Sequence, residues 1–180
     1  KPEDFSIIYF SLQDHGTIRM RVFYSILLML GTPLVLLYLA LRGLKDGAYL
    51  KRWSERFGFI NAEAVSGGIV LHAASVGEYN AAKPLILELL ERYPELPITV
   101  TTLTPTGSAR VTQDLGSRVS HFYIPFDLPG ATSRFLNRLK PRLLLVMETE
   151  IWPNLFLNAQ RRKVPVVIAN ARLSKRSASR

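Results

Sequence analysis

Five short, continuous apolar runs, separated by longer amphipathic stretches, constrain this chain more than any other feature. The runs lie at 68–73, 98–103, 119–124, 143–147 and 165–169. Each is too short and too uniformly apolar to be an amphipathic helix, and each reads as a strand buried on both faces. Helical patterns fill about 79–93, 106–115, 129–139 and 152–162. Strand followed by helix, repeated, predicts an α/β fold built on a doubly wound parallel sheet. The 180 residues suffice for one domain with a real core.

In an open α/β sheet, ligands bind outside the carboxyl ends of the strands. The polar residues gather at those exits. Ser75, Gly77 and Glu78 follow the first run, and Thr104, Thr106, Gly107 and Ser108 follow the second. Asp127 follows the third, and Glu148, Glu150, Trp152 and Asn154 follow the fourth. Asn170, Arg172 and Ser174 follow the fifth. Two glutamates at strand exits, Glu78 and Glu148, suggest acid–base chemistry at a sugar or phosphate centre.

Each residue also has a purely structural reading. Glu78 at a helix start is a partner for the helix macrodipole as well as a candidate catalyst. The loop from Thr104 to Ser108 reads either as an anion cradle or as a helix cap with Pro105 at its first position. Asp127 reads as a turn or cap residue, and His72 and His121 as satisfied core histidines. Glu148 leaves a buried strand and needs a partner, such as Arg172, a backbone amide or a substrate.

Ahead of this pattern, residues 22–41 run for twenty positions without a charge, between Arg21 and Arg42. That length matches a hydrocarbon core of roughly 30 Å. Gly31 and Pro33 inside it are better tolerated in membrane helices than in soluble ones. No small-residue cleavage site follows, so the segment (20–42 with its flanks) reads as a membrane anchor, spanning or monotopic. The downstream flank is the more basic, which places the globular part on the cytoplasmic side. Residues 43–58 read as a basic membrane-proximal helix, with 59–67 a linker to the globular part. The chain begins at Lys1 without methionine and ends at Arg180 in a basic, serine-rich run. It is therefore expected to be a piece of a longer protein, with Met20 the natural start and 1–19 an upstream or poorly ordered extension.

Net charge is +9, which favours acidic partners. The basic residues sit beside the anchor and in the tail, a pattern of membrane electrostatics rather than nucleic-acid binding. There is no cysteine, hence no disulfide or thiolate metal site. A P-loop, a G-x-G-x-x-G turn, a D-x-D and an H-E-x-x-H are all missing from the sequence. A metal-independent reaction using carboxylates remains.

At the residues themselves the chain resembles a known family. The segments are 51–58 (KRWSERFG), 72–78 (HAASVGE), 97–108 (PITVTTLTPTGS), 123–129 (YIPFDLP), 147–154 (METEIWPN) and 168–174 (IANARLS). Their identity and order are similar to the N-terminal half of the Kdo (3-deoxy-D-manno-octulosonic acid) transferases of lipopolysaccharide core synthesis. The resemblance covers about residues 20–180.

It implies the Rossmann-like N-terminal domain of a GT-B glycosyltransferase, at 67–180, preceded by a membrane-anchor helix on the cytoplasmic face of the inner membrane. It implies inverting transfer of Kdo from CMP-Kdo to a lipid A precursor, with no metal and no cofactor. The donor would be held by a C-terminal domain absent here, leaving this piece alone inactive. Glu78 matches the family's general base, and Glu148 a residue that stabilises the transition state. Ser75, Gly77, Arg56, Thr104, Thr106, Gly107, Ser108 and Arg172 are candidate substrate contacts, with Arg52 beside them; arginine is favoured for bidentate phosphate binding. Two other readings stay open: a membrane-anchored module that binds anionic lipid without catalysis, and a GT-B transferase for another lipid-linked acceptor.

Overall fold

Ile69, Val70, Leu71 and His72 are all buried, as a strand covered on both faces requires. They form β1 (Ile69–His72) of a sheet that continues with β2 (Ile98–Thr102), β3 (Ser120–Tyr123), β4 (Leu143–Met147) and β5 (Val166–Ala169). The computed structural model describes residues 15–148 and 150–169. Every pairing is parallel, in the order β3-β2-β1-β4-β5. The chain runs outward from β1 to β3, returns to the other side of β1 as β4, and ends at β5. The strand order therefore reverses between β1 and β4, which is where such sheets open a crevice for a ligand.

Alternate strand residues point to opposite faces. Ile69, Leu71, Ile98 and Val100 meet Tyr79, Ala82 and Ile86 of α3 (Val76–Arg92), and Val111 and Leu115 of α4 (Pro105–Leu115). Val70, Leu144, Val146 and Ile168 meet Phe135 and Leu136 of α5 (Pro129–Leu139), and Leu155, Phe156 and Ala159 of α6 (Pro153–Arg161). The result is the predicted α/β doubly wound sheet, Rossmann-like in its strand order.

Residues 43–58 differ from the expectation of one basic helix. A 3-10 turn at Gly47–Leu50 is capped by Asp46, which accepts from the Ala48 amide at 3.0 Å. Arg52 then adopts a left-handed φ of 58°, and past Gly43 only Trp53–Arg56 (α2) of this stretch is α-helical. Residues 59–67 are not a free linker either, because Ile60 and Ala62 are buried in the core beneath α5 and α6.

The N-terminal helix α1 spans His15–Gly43, about 43 Å at 1.5 Å per residue. Among the described residues it is the one helix long and apolar enough to cross a membrane, so it could anchor the protein there. Met20, Phe23, Leu27, Leu30, Leu34, Leu37 and Leu41 make an exposed apolar stripe at alternating spacings of three and four. The opposite stripe, from Tyr24 and Ser25 to Leu39 and Gly43, is buried or half-buried. A polar knot fastens it: Asn154 of α6 donates to Ser25 Oγ at 3.0 Å, and Arg21 donates to Asn154 Oδ1 at 3.2 Å.

Candidate active site

Ser75 ends β1's exit loop and caps α3: its hydroxyl accepts from the Glu78 amide at 3.2 Å and donates to Glu78 Oε1 at 3.1 Å. Glu78 Oε2 reaches back to the Ala74 amide at 2.8 Å. This is a capping box, with Ser at the N-cap and Glu three residues on, its carboxylate reaching one residue beyond the usual amide. The structural and catalytic readings of Glu78 thus coexist in one half-buried side chain. Each carboxylate oxygen keeps capacity for a further hydrogen bond. A Cβ on Gly77 would meet nothing closer than Ser75 Oγ at 3.7 Å, so the fold leaves open space there.

Across the crevice, Glu148 is the first residue past β4. Its amide donates to Ala169 O at 2.8 Å, which holds the strand pairing one step further. Its φ is 58°, a left-handed conformation that a non-glycine residue adopts at a cost of about 1–2 kcal/mol. Backbone strain at a carboxylate beside a ligand crevice marks a candidate functional position. Replacing Glu148 by glycine is expected to leave stability unchanged or raise it by up to about 1 kcal/mol, because the strain disappears. The same change should lower turnover of the complete protein. Denaturant midpoints and rates measured side by side check this, and a marked loss of stability would argue that the carboxylate is structural.

His72, Glu150 and Trp152 form a hydrogen-bonded floor at the exits of β1 and β4. His72 is fully buried, with Nε2 3.2 Å from Glu150 Oε2 and Nδ1 3.0 Å from Thr101 Oγ1. The indole of Trp152 lies edge-on to the imidazole, centroids 5.3 Å apart, and donates to Glu150 at 3.0 Å. The hydrogen bond from His72, the largest influence, holds the Glu150 carboxyl below the usual range against the effect of burial. An ionised Glu150 carboxylate can only accept, so His72 Nε2 is the donor in their bond. Sequence reasoning set His72 aside as a core histidine and gave Glu150 no role; the histidine is core, and one of its partners is Glu150 at the exit of β4.

A second cluster occupies the exits of β2 and β3. Arg52 grips Glu55 through two bonds of 2.7 and 2.8 Å, and donates to Ser108 Oγ at 3.0 Å and His121 O at 2.8 Å. Burial and then Arg52 push His121 down to about 3, so the ring is neutral. Arginine can only donate, so Nδ1 accepts from Arg52 at 3.1 Å and Nε2 donates to Thr102 Oγ1 at 2.9 Å. Arg56 is 3 % exposed, stacks 4.3 Å over Tyr123 and donates to Leu103 O at 3.0 Å. Burial lowers its pKa, and its Nε has no hydrogen-bond partner among the described residues.

The structure therefore places Ser75, Gly77 and Glu78 past the end of β1 and Glu148 past the end of its neighbour β4, where the strand order reverses. Arg56 and Ser108 are buried one strand away, and Gly107 packs against Thr102. Thr104 caps α4 through the Gly107 amide at 3.1 Å, and Thr106 is exposed beside it. Arg172 lies outside the described residues. Asp127 is a cap, as its position suggested, but for α6: its carboxylate accepts from the Asn154 and Leu155 amides at 3.0 and 2.8 Å. Burial pushes this carboxyl up to about 6, although those amides pull the other way. The signal was in the sequence, since Trp152-Pro153 opens a helix with no capping side chain of its own. Among the described residues, no three His, Asp or Glu side chains converge as metal ligands would. A wide hollow of about 790 Å³, lined by Phe59–Glu63, Ser66, Asn137, Arg138 and Lys140, lies before the strands begin and so away from this rim.

Residues 51–180 match the family model described as 3-Deoxy-D-manno-octulosonic-acid transferase (kdotransferase). The chain is 51 % identical over 162 residues to the 3-deoxy-D-manno-octulosonic acid transferase of Haemophilus influenzae, covering 89 % of this chain and 38 % of that protein. It is 37 % identical over 163 residues to the Bordetella pertussis protein of the same name, covering 86 % and 38 %. It is also 37 % identical over 150 residues to a probable mitochondrial 3-deoxy-D-manno-octulosonic acid transferase of Arabidopsis thaliana, covering 83 % and 34 %. The chain thus spans little more than a third of the length of these relatives.

Proposed function

Since the chain belongs to the Kdo transferase family, we propose that it is the acceptor-binding part of an enzyme moving Kdo from CMP-Kdo to a lipid A precursor. The observation that carries this reading is the pair Glu78 and Glu148, set at the carboxyl ends of β1 and β4 on either side of the switch point.

Glu78 takes the proton from the acceptor's sugar hydroxyl as that oxygen attacks the anomeric carbon of Kdo. The bond from Kdo to the CMP phosphate breaks in the same step, CMP leaves with the bonding electrons, and the anomeric configuration inverts. A base fixed by a capping box is held in place before substrate arrives, which is the positioning such a step needs. Glu148 supplies negative charge near the oxocarbenium-like centre. CMP-Kdo is held by a C-terminal domain outside this sequence, and no metal or other cofactor takes part. The apolar helix α1 seats the domain on the cytoplasmic face of the inner membrane, where a lipid-linked acceptor lies. A non-catalytic lipid-binding module would rest on Arg52 and Arg56, yet Arg52 is engaged by Glu55, Ser108 and His121, and Arg56 is buried.

The test is transfer of labelled Kdo from CMP-Kdo to a lipid A precursor by the full-length protein in detergent, with and without a chelator. A product heavier by Kdo, formed at the same rate in both, is the expected result. A well-folded protein that forms no such product overturns the assignment of donor and acceptor.

A further inference from the structure

Between α1 and the body of the domain lies a narrow cleft of about 200 Å³, lined by Leu28, Gly31 and Thr32 on one side and Phe126, Leu128 and Trp152 on the other. It follows α1 from Tyr24 to Val35, about 16 Å of helix. Leu27 and Val35 on its margin are 59 % and 42 % exposed, so the cleft opens along the apolar surface of α1. Gly31 leaves its space unfilled: a Cβ there would find no atom within 4 Å.

The chemistry of the walls selects the guest. The polar side chains of the lining are turned to other partners. Thr32 donates to Leu28 O at 2.7 Å, Asp127 accepts from the amides of α6 and from the Tyr24 hydroxyl, and Trp152 donates to Glu150. A buried water needs two to four polar partners, whereas an apolar cavity of this order stays dry and takes an apolar guest. The position selects it further. One indole ring, that of Trp152, separates the cleft from the His72–Glu150 floor of the catalytic rim.

We propose that this cleft holds one acyl chain of the lipid acceptor, alongside the sugar whose hydroxyl reacts; the inference rests on the lipid-acceptor reading above. An acyl chain placed there fixes the sugar's distance from Glu78 and lets the substrate enter from the bilayer along α1 without leaving an apolar surface. The cleft is then a specificity element, separating acylated acceptors from free phosphorylated sugars.

The experiment fills the cleft from Gly31. In the full-length protein, Gly31→Phe, with the smaller Gly31→Leu beside it should the first fail to fold, is assayed on an acylated lipid A precursor and on its acyl-free disaccharide. At least a tenfold rise in KM for the acylated acceptor is expected, so that the preference of the wild type for that acceptor collapses. An acceptor carrying a photoreactive diazirine in its acyl chain should label residues 24–35 of the wild type, and unlabelled acceptor should displace it. An unchanged KM in a folded variant, with the wild type active, overturns the cleft and leaves the proposed reaction standing. Displacement of the label by bulk phospholipid overturns the acceptor as occupant in favour of a bilayer lipid. A wild type that transfers Kdo to neither acceptor overturns the reaction itself, and the occupant with it.

Discussion

Replacing Glu78 by glutamine in the complete enzyme should leave the fold intact and, if Glu78 is the proposed base, stop the proposed Kdo transfer. The capping box accepts glutamine at the third helical position as readily as glutamate. A glutamine oxygen still accepts from the Ala74 amide, which Glu78 Oε2 meets at 2.8 Å. Unfolding free energy should therefore stay within about 0.5 kcal/mol of the wild type. An amide cannot take a proton from a sugar hydroxyl, and losing a positioned base costs roughly 100- to 10,000-fold in rate. Glu78→Ala removes the cap as well, so it should lose about 1 kcal/mol of stability in addition to the turnover. Turnover and denaturant midpoints for both variants separate the two roles of one side chain. If Glu78→Gln keeps more than a tenth of wild-type turnover, the carboxylate is a helix cap and the base lies elsewhere.

What could be read from the sequence depends on how far apart the interacting residues lie. The fourth strand, predicted at 143–147, and the helix at 129–139 have the bounds observed, the helix because Pro129 fixes its first position. Both signals are local. The third helix begins at Val76 rather than 79 because Ser75 caps it, a detail inside the expected element. Residues 43–58 failed for the opposite reason. Their apolar spacing suits a helix, but Glu55 is taken up by the Tyr123 amide, 68 positions away, and Arg52 by His121, 69 away. The turn exists to close the end of β3, and periodicity alone cannot show that. The same holds at the site. The strand-exit positions of Glu78 and Glu148 were legible because each follows an apolar run, whereas the pairing of His72 with Thr101 and Glu150 spans 29 and 78 positions. Asp127 was legible as a cap, but not the helix it caps.

His72→Ala should be among the most damaging single changes outside the reacting groups. The ring is fully buried, and removing it leaves a void beside Trp152, which loses its edge-on partner. Truncating a large buried side chain to alanine costs about 2–5 kcal/mol. The buried hydroxyl of Thr101 and the carboxylate of Glu150 each lose a hydrogen bond, which adds about 1–3 kcal/mol where no water replaces it. A total of about 3–8 kcal/mol is a large fraction of the roughly 5–15 kcal/mol that keeps a domain folded. Glu150→Gln, which keeps an acceptor for His72 and Trp152, should cost no more than about 1 kcal/mol. Denaturant unfolding of the three proteins gives the ranking. Turnover adds a second reading, since Glu148 sits in a strained backbone two residues before Glu150 and depends on that segment being held. If His72→Ala unfolds easily while Glu150→Gln is stable but slow, the imidazole supports the fold and the carboxylate tunes the rim. If both are stable and fully active, the floor at the exits of β1 and β4 has no part in placing the two glutamates.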